Sequence, residues 1–145
     1  ATWVSVELTD IIASLVGLAA AVVMLRLWQP EGRDAALVAA FHARGFEIAV
    51  ETNGTLPAPA GIDWICVSPK ASAPVVQTRG QELKLVYPQA QAMPERFEHL
   101  PFERFWLQPM DGPDQAANTA AALEYCLTHP QWRLSVQTHK YIGVR

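Results

Sequence analysis

IDWICVSPK, residues 62–70, holds the reading on which the fold turns. The five residues DWICV (63–67) are a short apolar run with β-branched and aromatic members, and Ser68, Pro69 and Lys70 break it. A run of that length stopped by a turn former reads as a buried strand that opens into a polar loop. The theme recurs in both directions. Upstream, FEIAV (46–50) runs into ETNGT (51–55); downstream come ELKLVY (82–87), RFWL (104–107) before QPMDGP (108–113), and WRLSV (132–136) before QTHKY (137–141). Helical segments are expected between them. Ala36, Leu37, Ala40, Phe41 and Ala43 have amphipathic spacing, with Asp34 placed to cap the start and Gly45 to stop the end, and further helices are expected over 94–99 and 114–129. Strands alternating with helices predict βαβ units, an α/β class and a parallel sheet, whose functional residues collect beyond the carboxyl ends of the strands.

Composition narrows the function. The chain has 145 residues, a formal net charge of -3, 50% hydrophobic and 17% charged residues, which suits one folded domain. Eleven Lys and Arg against fourteen Asp and Glu leave no basic excess, so a nucleic acid held by phosphate neutralisation has no compositional support and a small molecule is the default ligand. Cys66 and Cys126 stand far apart without a C-x-x-C neighbour, against a disulfide framework, a zinc ribbon or a cysteine-ligated cluster from this chain alone.

The chain divides into residues 1–30 and residues 34–145. Only Glu7, Asp10 and Arg26 are charged before Pro30, and residues 11–25 carry no charge. As a helix capped by Asp10, that run would span about 22 Å against a hydrocarbon core of about 30 Å. Two readings stand: a buried apolar helix, or a membrane segment over 11–28 that Leu27 and Trp28 extend to an interface. Glu7 and Asp10 replace the basic region that a signal peptide requires. The start at Ala1, without methionine, fits a fragment or a processed chain.

Beyond the strands lie ETNGT, Ser68-Pro69-Lys70, Gln108-Pro109-Met110-Asp111 and Gln137-Thr138-His139-Lys140. They supply amides, hydroxyls, lysines and one aspartate, but no nucleophile paired with an oriented base and no His/carboxylate set at metal spacing. Taken singly, each cluster is ordinary turn chemistry; four together at one end of a sheet favour binding over acid–base catalysis.

ETNGT, IDWICVSPK, ELKLV (82–86), LQPMDGP (107–113) and PQWRLSVQTHKY (130–141), in this order and spacing, resemble the carboxyl-terminal half of the 7-carboxy-7-deazaguanine synthase family over about residues 34–145. The resemblance implies a radical S-adenosylmethionine enzyme of carbon–nitrogen lyase type, with a partial (β/α) barrel, homodimeric and cytoplasmic. It also implies conversion of the pterin 6-carboxy-5,6,7,8-tetrahydropterin to 7-carboxy-7-deazaguanine in queuosine biosynthesis, with S-adenosylmethionine, a [4Fe-4S] cluster and magnesium. On this resemblance Ser68, Pro69 and Lys70, and Gln108, Pro109, Met110 and Asp111, face S-adenosylmethionine, with Asn53 and Thr55 nearby. The terminal carboxylate of Arg145 reaches the substrate, supported by Gln137, Thr138, His139 and Lys140.

The sequence departs from that family in its first part. It has no cysteine triplet of the C-x-x-x-C-x-x-C kind that holds three irons of a cluster, and no G-G-E-P segment. The family's magnesium contact falls in the same absent portion, and Cys66 and Cys126 read as buried apolar-like residues. Residues 1–30 weakly resemble a lactate-permease-type membrane segment instead. Three expectations follow: an inactive fragment or chimera of the family; a non-catalytic module for a nucleotide-like ligand, membrane-tethered through 11–28; or a partner that receives a cluster-bearing half-barrel from another polypeptide.

Overall fold

A computed structural model describes residues 33–144. The apolar segment over 11–28 and Arg145 lie outside the described residues. The described elements are α1 (Arg33–His42), β1 (Ala49–Thr52), β2 (Trp64–Val67), β3 (Gly80–Tyr87), a 3-10 turn (Pro94–Arg96), β4 (Phe102–Pro109), α2 (Gln115–Thr128), β5 (Trp132–Leu134) and α3 (Thr138–Tyr141).

The strands form one five-stranded sheet in the order β1-β2-β3-β4-β5, and every pairing is parallel. Sequential order is the arrangement that a singly wound, barrel-like sheet requires, consistent with a partial barrel. The expected βαβ rhythm holds at one crossover. Only β4 to β5 is bridged by an α-helix; β3 to β4 carries the 3-10 turn, and the first two crossovers are irregular. Prolines explain this. Pro57 and Pro59 in the first connection, and Pro69 and Pro74 in the second, remove amide donors and disfavour helical conformation in the residue before them.

Boundaries also moved. Residues 46–48 precede β1 rather than forming part of it, and Glu51 and Thr52, expected in a turn, are its last residues. Asp34 sits inside the first turn of α1 instead of capping it. Gly45 stops the helix as expected: at φ +78° its amide donates to the His42 carbonyl and that of Phe46 to Phe41, closing the carboxyl end. The segment expected as helix over 94–99 winds only as a 3-10 turn.

Register places the two sheet faces. Leu83 on β3 lies opposite Val67 and Phe105, and Leu85 opposite Leu107, so these side chains stack on one face. Val67, Leu83, Leu85 and Leu107 have no exposed surface, and they pack with Phe105, Phe97 and Trp132. α2 covers this face, and its alanine-rich sequence suits both roles: alanine favours helix, and the fully buried Ala122 lets the helix lie close to the sheet. Gly80 works similarly between strands, because a Cβ there would come within 2.8 Å of the Ile65 carbonyl oxygen.

Candidate functional site

The carboxyl ends of the strands carry the residues singled out by sequence. At the end of β1, Asn53 Oδ1 accepts from the Thr55 amide (3.0 Å) and hydroxyl (2.8 Å), so these two side chains hold a turn. Gly54, at φ +79°, completes it: its carbonyl accepts the Val76 and Gln77 amides, and a Cβ would meet Val67 at 2.7 Å. Beyond β2, the Ser68 amide donates to the Thr52 carbonyl (2.7 Å), and the buried Ser68 hydroxyl accepts from Lys70 Nζ at 2.8 Å. Pro69 is fully buried; Lys70 is exposed. The Ser68–Lys70 segment therefore presents an ammonium from a rigid base.

Beyond β4, Pro109 is buried, Gln108 and Met110 are half-buried, and Asp111 is exposed. The Met110 amide donates to the Tyr87 carbonyl (2.8 Å), and Asn118 of α2 donates to the Met110 carbonyl (3.0 Å). Lys140 of α3 pairs with Asp111, tying the carboxyl-terminal segment to the β4 loop. This partner is the main reason that the Asp111 carboxyl titrates below its ordinary 3.8.

Gln89, which sequence reasoning missed, ties the loop after β2 to the end of β3. Its Oε1 accepts the Ala71 amide (2.5 Å) while its Nε2 donates to the Val86 carbonyl (3.4 Å). Together with the Met110–Tyr87 bond, it fixes the Ser68–Lys70 and Gln108–Asp111 segments to the end of β3, which lies between them. The only cue was an amide residue just after a Tyr-Pro break.

Sequence reasoning also missed the charged character of the sheet's second face. Glu51, Cys66, Glu82 and Arg104 share one rung of the register; Lys84, Trp106 and Arg133 share another. Lys84 Nζ reaches across β2 to Glu51 at 2.8 Å, and Arg104 lies 3.9 Å from Glu82. The Arg104 guanidinium also lies over the Trp64 ring at 4.8 Å, and that of Arg133 over Trp106 at 5.8 Å. Burial, followed by the charge of Glu51, pushes the Cys66 thiol up to about 11, leaving it protonated at neutral pH. The alternation of Glu82 and Lys84 with Leu83 and Leu85 was the available signal, but parallel strands are commonly apolar on both faces.

Cluster chemistry does not fit the described residues. Cys66 faces the charged side of the sheet and Cys126 packs against the core from α2, so the two thiols lie on opposite faces. Burial raises the titration point of Cys126 as well. No group of three His, Cys, Asp or Glu among the described residues is placed to hold a metal ion, and no described helix is long and apolar enough to cross a membrane. Two larger hollows, of about 490 Å³ beside Glu47, Ala49 and Trp64 and about 410 Å³ beside Pro57, Ile65 and Arg79, lie at the amino ends of the strands. Neither hollow is lined by the residues singled out by sequence.

No family profile matches the chain. Among curated proteins it is 77% identical over 111 residues to the 7-carboxy-7-deazaguanine synthase of Caulobacter vibrioides, covering 77% of this chain and 53% of that protein. It is 70% identical over 111 residues to the enzyme of that name from Bordetella pertussis, with the same coverage of each. The Nitratidesulfovibrio vulgaris protein of that name is 49% identical over 114 residues, covering 77% of this chain and 53% of the relative. The chain spans about half the length of the curated relatives it matches. Identity at this level, over 77% of this chain and about half of each relative, places the matched residues with the 7-carboxy-7-deazaguanine synthases.

Proposed function

We propose that this chain supplies the carboxyl-terminal half of an S-adenosylmethionine site in a radical enzyme that converts 6-carboxy-5,6,7,8-tetrahydropterin to 7-carboxy-7-deazaguanine. The observation that carries this is the anchoring of two segments to the end of β3, the Ser68–Lys70 loop through the Gln89–Ala71 bond and Gln108–Asp111 through the Met110–Tyr87 bond, at the ends of three adjacent parallel strands. An S-adenosylmethionine held there would supply the radical-generating group of the whole enzyme. The chain's own residues bind and orient. Lys70 offers its ammonium to a carboxylate, while Asp111 and Gln108 accept from ribose hydroxyls and meet an adenine edge. The buried Ser68 hydroxyl sets the reach of Lys70. The cluster and magnesium find no fitting residues among those described, and turnover requires the other half of the enzyme.

Calorimetric titration of the purified chain with S-adenosylmethionine tests the reading. Saturable binding is expected, weakened about tenfold by Lys70→Met and by Asp111→Asn, as loss of one charge-assisted contact predicts. Absent binding, or binding indifferent to both substitutions, would refute the site. A non-catalytic role for the same loops, toward a nucleotide-like ligand, is favoured by the missing cluster ligands among the described residues, and binding of adenosine alone with equal affinity would select it.

A further inference from the structure

The turn that follows Ser68–Lys70 is held in a conformation that its sequence disfavours. Residues 70–73 close a turn through the Ala73 amide on the Lys70 carbonyl (3.0 Å), and Ala71, its second residue, has φ +44°. Among the described residues it is the one non-glycine with positive φ. Turns with a positive φ at that position favour glycine, because a Cβ crowds the backbone there. Ala71 is exposed, so burial of its side chain does not offset the strain, and a contact elsewhere must hold the turn.

Gln89 supplies that contact. Its Oε1 accepts the Ala71 amide at 2.5 Å, and its own carbonyl accepts the Ala92 amide at 2.8 Å. Ala92 has no exposed surface and belongs to the core cluster, so the clamp is rooted in the packed face of the sheet. The amide that Gln89 holds is part of the peptide joining Lys70 to Ala71. Holding it fixes the backbone of Lys70 on its carboxyl side, and backbone angles decide which rotamers a side chain can take. On the amino side, Ser68 and Pro69 are buried, and the Ser68 amide donates to the Thr52 carbonyl (2.7 Å). Lys70 thus stands between two fixed neighbours, with its ammonium 2.8 Å from the Ser68 hydroxyl.

We propose that Gln89 is a positioning residue for Lys70: by holding the Lys70–Ala71 peptide in its strained turn, it aims the Lys70 ammonium at the carboxylate of S-adenosylmethionine. The assignment rests on the cofactor reading above and adds to it a residue outside both strand-end segments. Gln89 touches no ligand in this scheme, and its effect passes through Lys70 alone.

A pair of ligands reads this out, since adenosine shares the nucleoside of S-adenosylmethionine and lacks the carboxylate. Gln89→Met keeps the volume and removes the acceptor. In calorimetric titration of the 145-residue chain it should weaken S-adenosylmethionine about tenfold, as a misplaced charge-assisted contact predicts, and leave adenosine within about twofold. Added to Lys70→Met, it should weaken nothing further, because both act through one ammonium. Ala71→Pro, on the exposed side of the same bond, removes the amide and cannot adopt positive φ; it should reproduce the loss even if the half-buried Gln89 tolerates no exchange. Amide exchange at Ala71 gives a reading without ligand: slow in the parent chain and quickened by Gln89→Met. Equal losses for both ligands, additive losses with Lys70→Met, or undiminished S-adenosylmethionine binding in both variants would overturn the assignment and leave the cofactor site standing. Rapid exchange of the Ala71 amide in the parent would do the same. A parent chain that binds neither ligand would remove the cofactor reading and this assignment together.

Discussion

The two faces of the sheet are built from alternate residues of the same strands, yet they obey different physics. On one face Val67, Leu83, Leu85 and Leu107 are wholly buried beneath α2, and area removed from water dominates. On the other, Glu51, Glu82, Lys84 and Arg104 meet in pairs that remain half in solvent, where attraction and desolvation nearly cancel. One face therefore specifies the fold, and the other keeps its charges partly in solvent.

The largest effect that would break this contrast is on the apolar face. Leu85→Ala should cost about 2–5 kcal/mol in urea unfolding, because the buried site cannot collapse around the lost methyl groups. A cost below about 1 kcal/mol would mean that the core is not packed as described. Next, Gly80→Val should destabilise by about 1–3 kcal/mol through overpacking against Ile65, and a variant as stable as the parent would show that β2 and β3 can part there.

On the charged face, Lys84→Met should change stability by less than about 1 kcal/mol, with coupling to Glu51→Gln of similar size in a double-mutant cycle. Its sharper readout is Cys66. Lys84 lowers and Glu51 raises that thiol's titration, so Lys84→Met should slow alkylation further and Glu51→Gln should quicken it. Equal rates in the two variants would dissolve the electrostatic connection.

The smallest effects are expected in acid. Asp111, lowered chiefly by Lys140, and Asp63, lowered first by the Ile48 amide and then by His42, are both fully ionised at neutral pH in the folded and unfolded states. Because their folded values lie below the ordinary 3.8, the stabilisation is complete above that pH and is lost as pH falls through the lower folded values. Amide exchange around α3 and around Ile48 should accelerate only below about pH 4. Acceleration near pH 6 would implicate a histidine instead.

Much was legible in residues 33–144 without coordinates. Five strands, their parallel sense and the gathering of Ser68–Lys70 with Gln108–Asp111 at one end followed from apolar run length and polar breaks, because those signals are local. The same locality explains the misses. FEIAV was read as a strand although the ladder begins at Ala49, since pairing with Trp64 sets where the strand starts. No helix was placed by residue number in the first two crossovers, and none forms there.

By itself the sequence determined the fold class, the polar ends of the strands and, through long matching segments, the relationship to one enzyme family. Only the tertiary structure decided that Gln89 ties the loop after β2 to the end of β3, that Lys84 reaches Glu51 across an intervening strand, that Lys140 holds Asp111, and that Ala49 and Glu51 turn their peptide groups away from β2. Those contacts join residues from 18 to 33 positions apart, or follow from the side on which β1 meets β2. Neither circumstance leaves a mark in local periodicity, because each depends on which strands lie side by side.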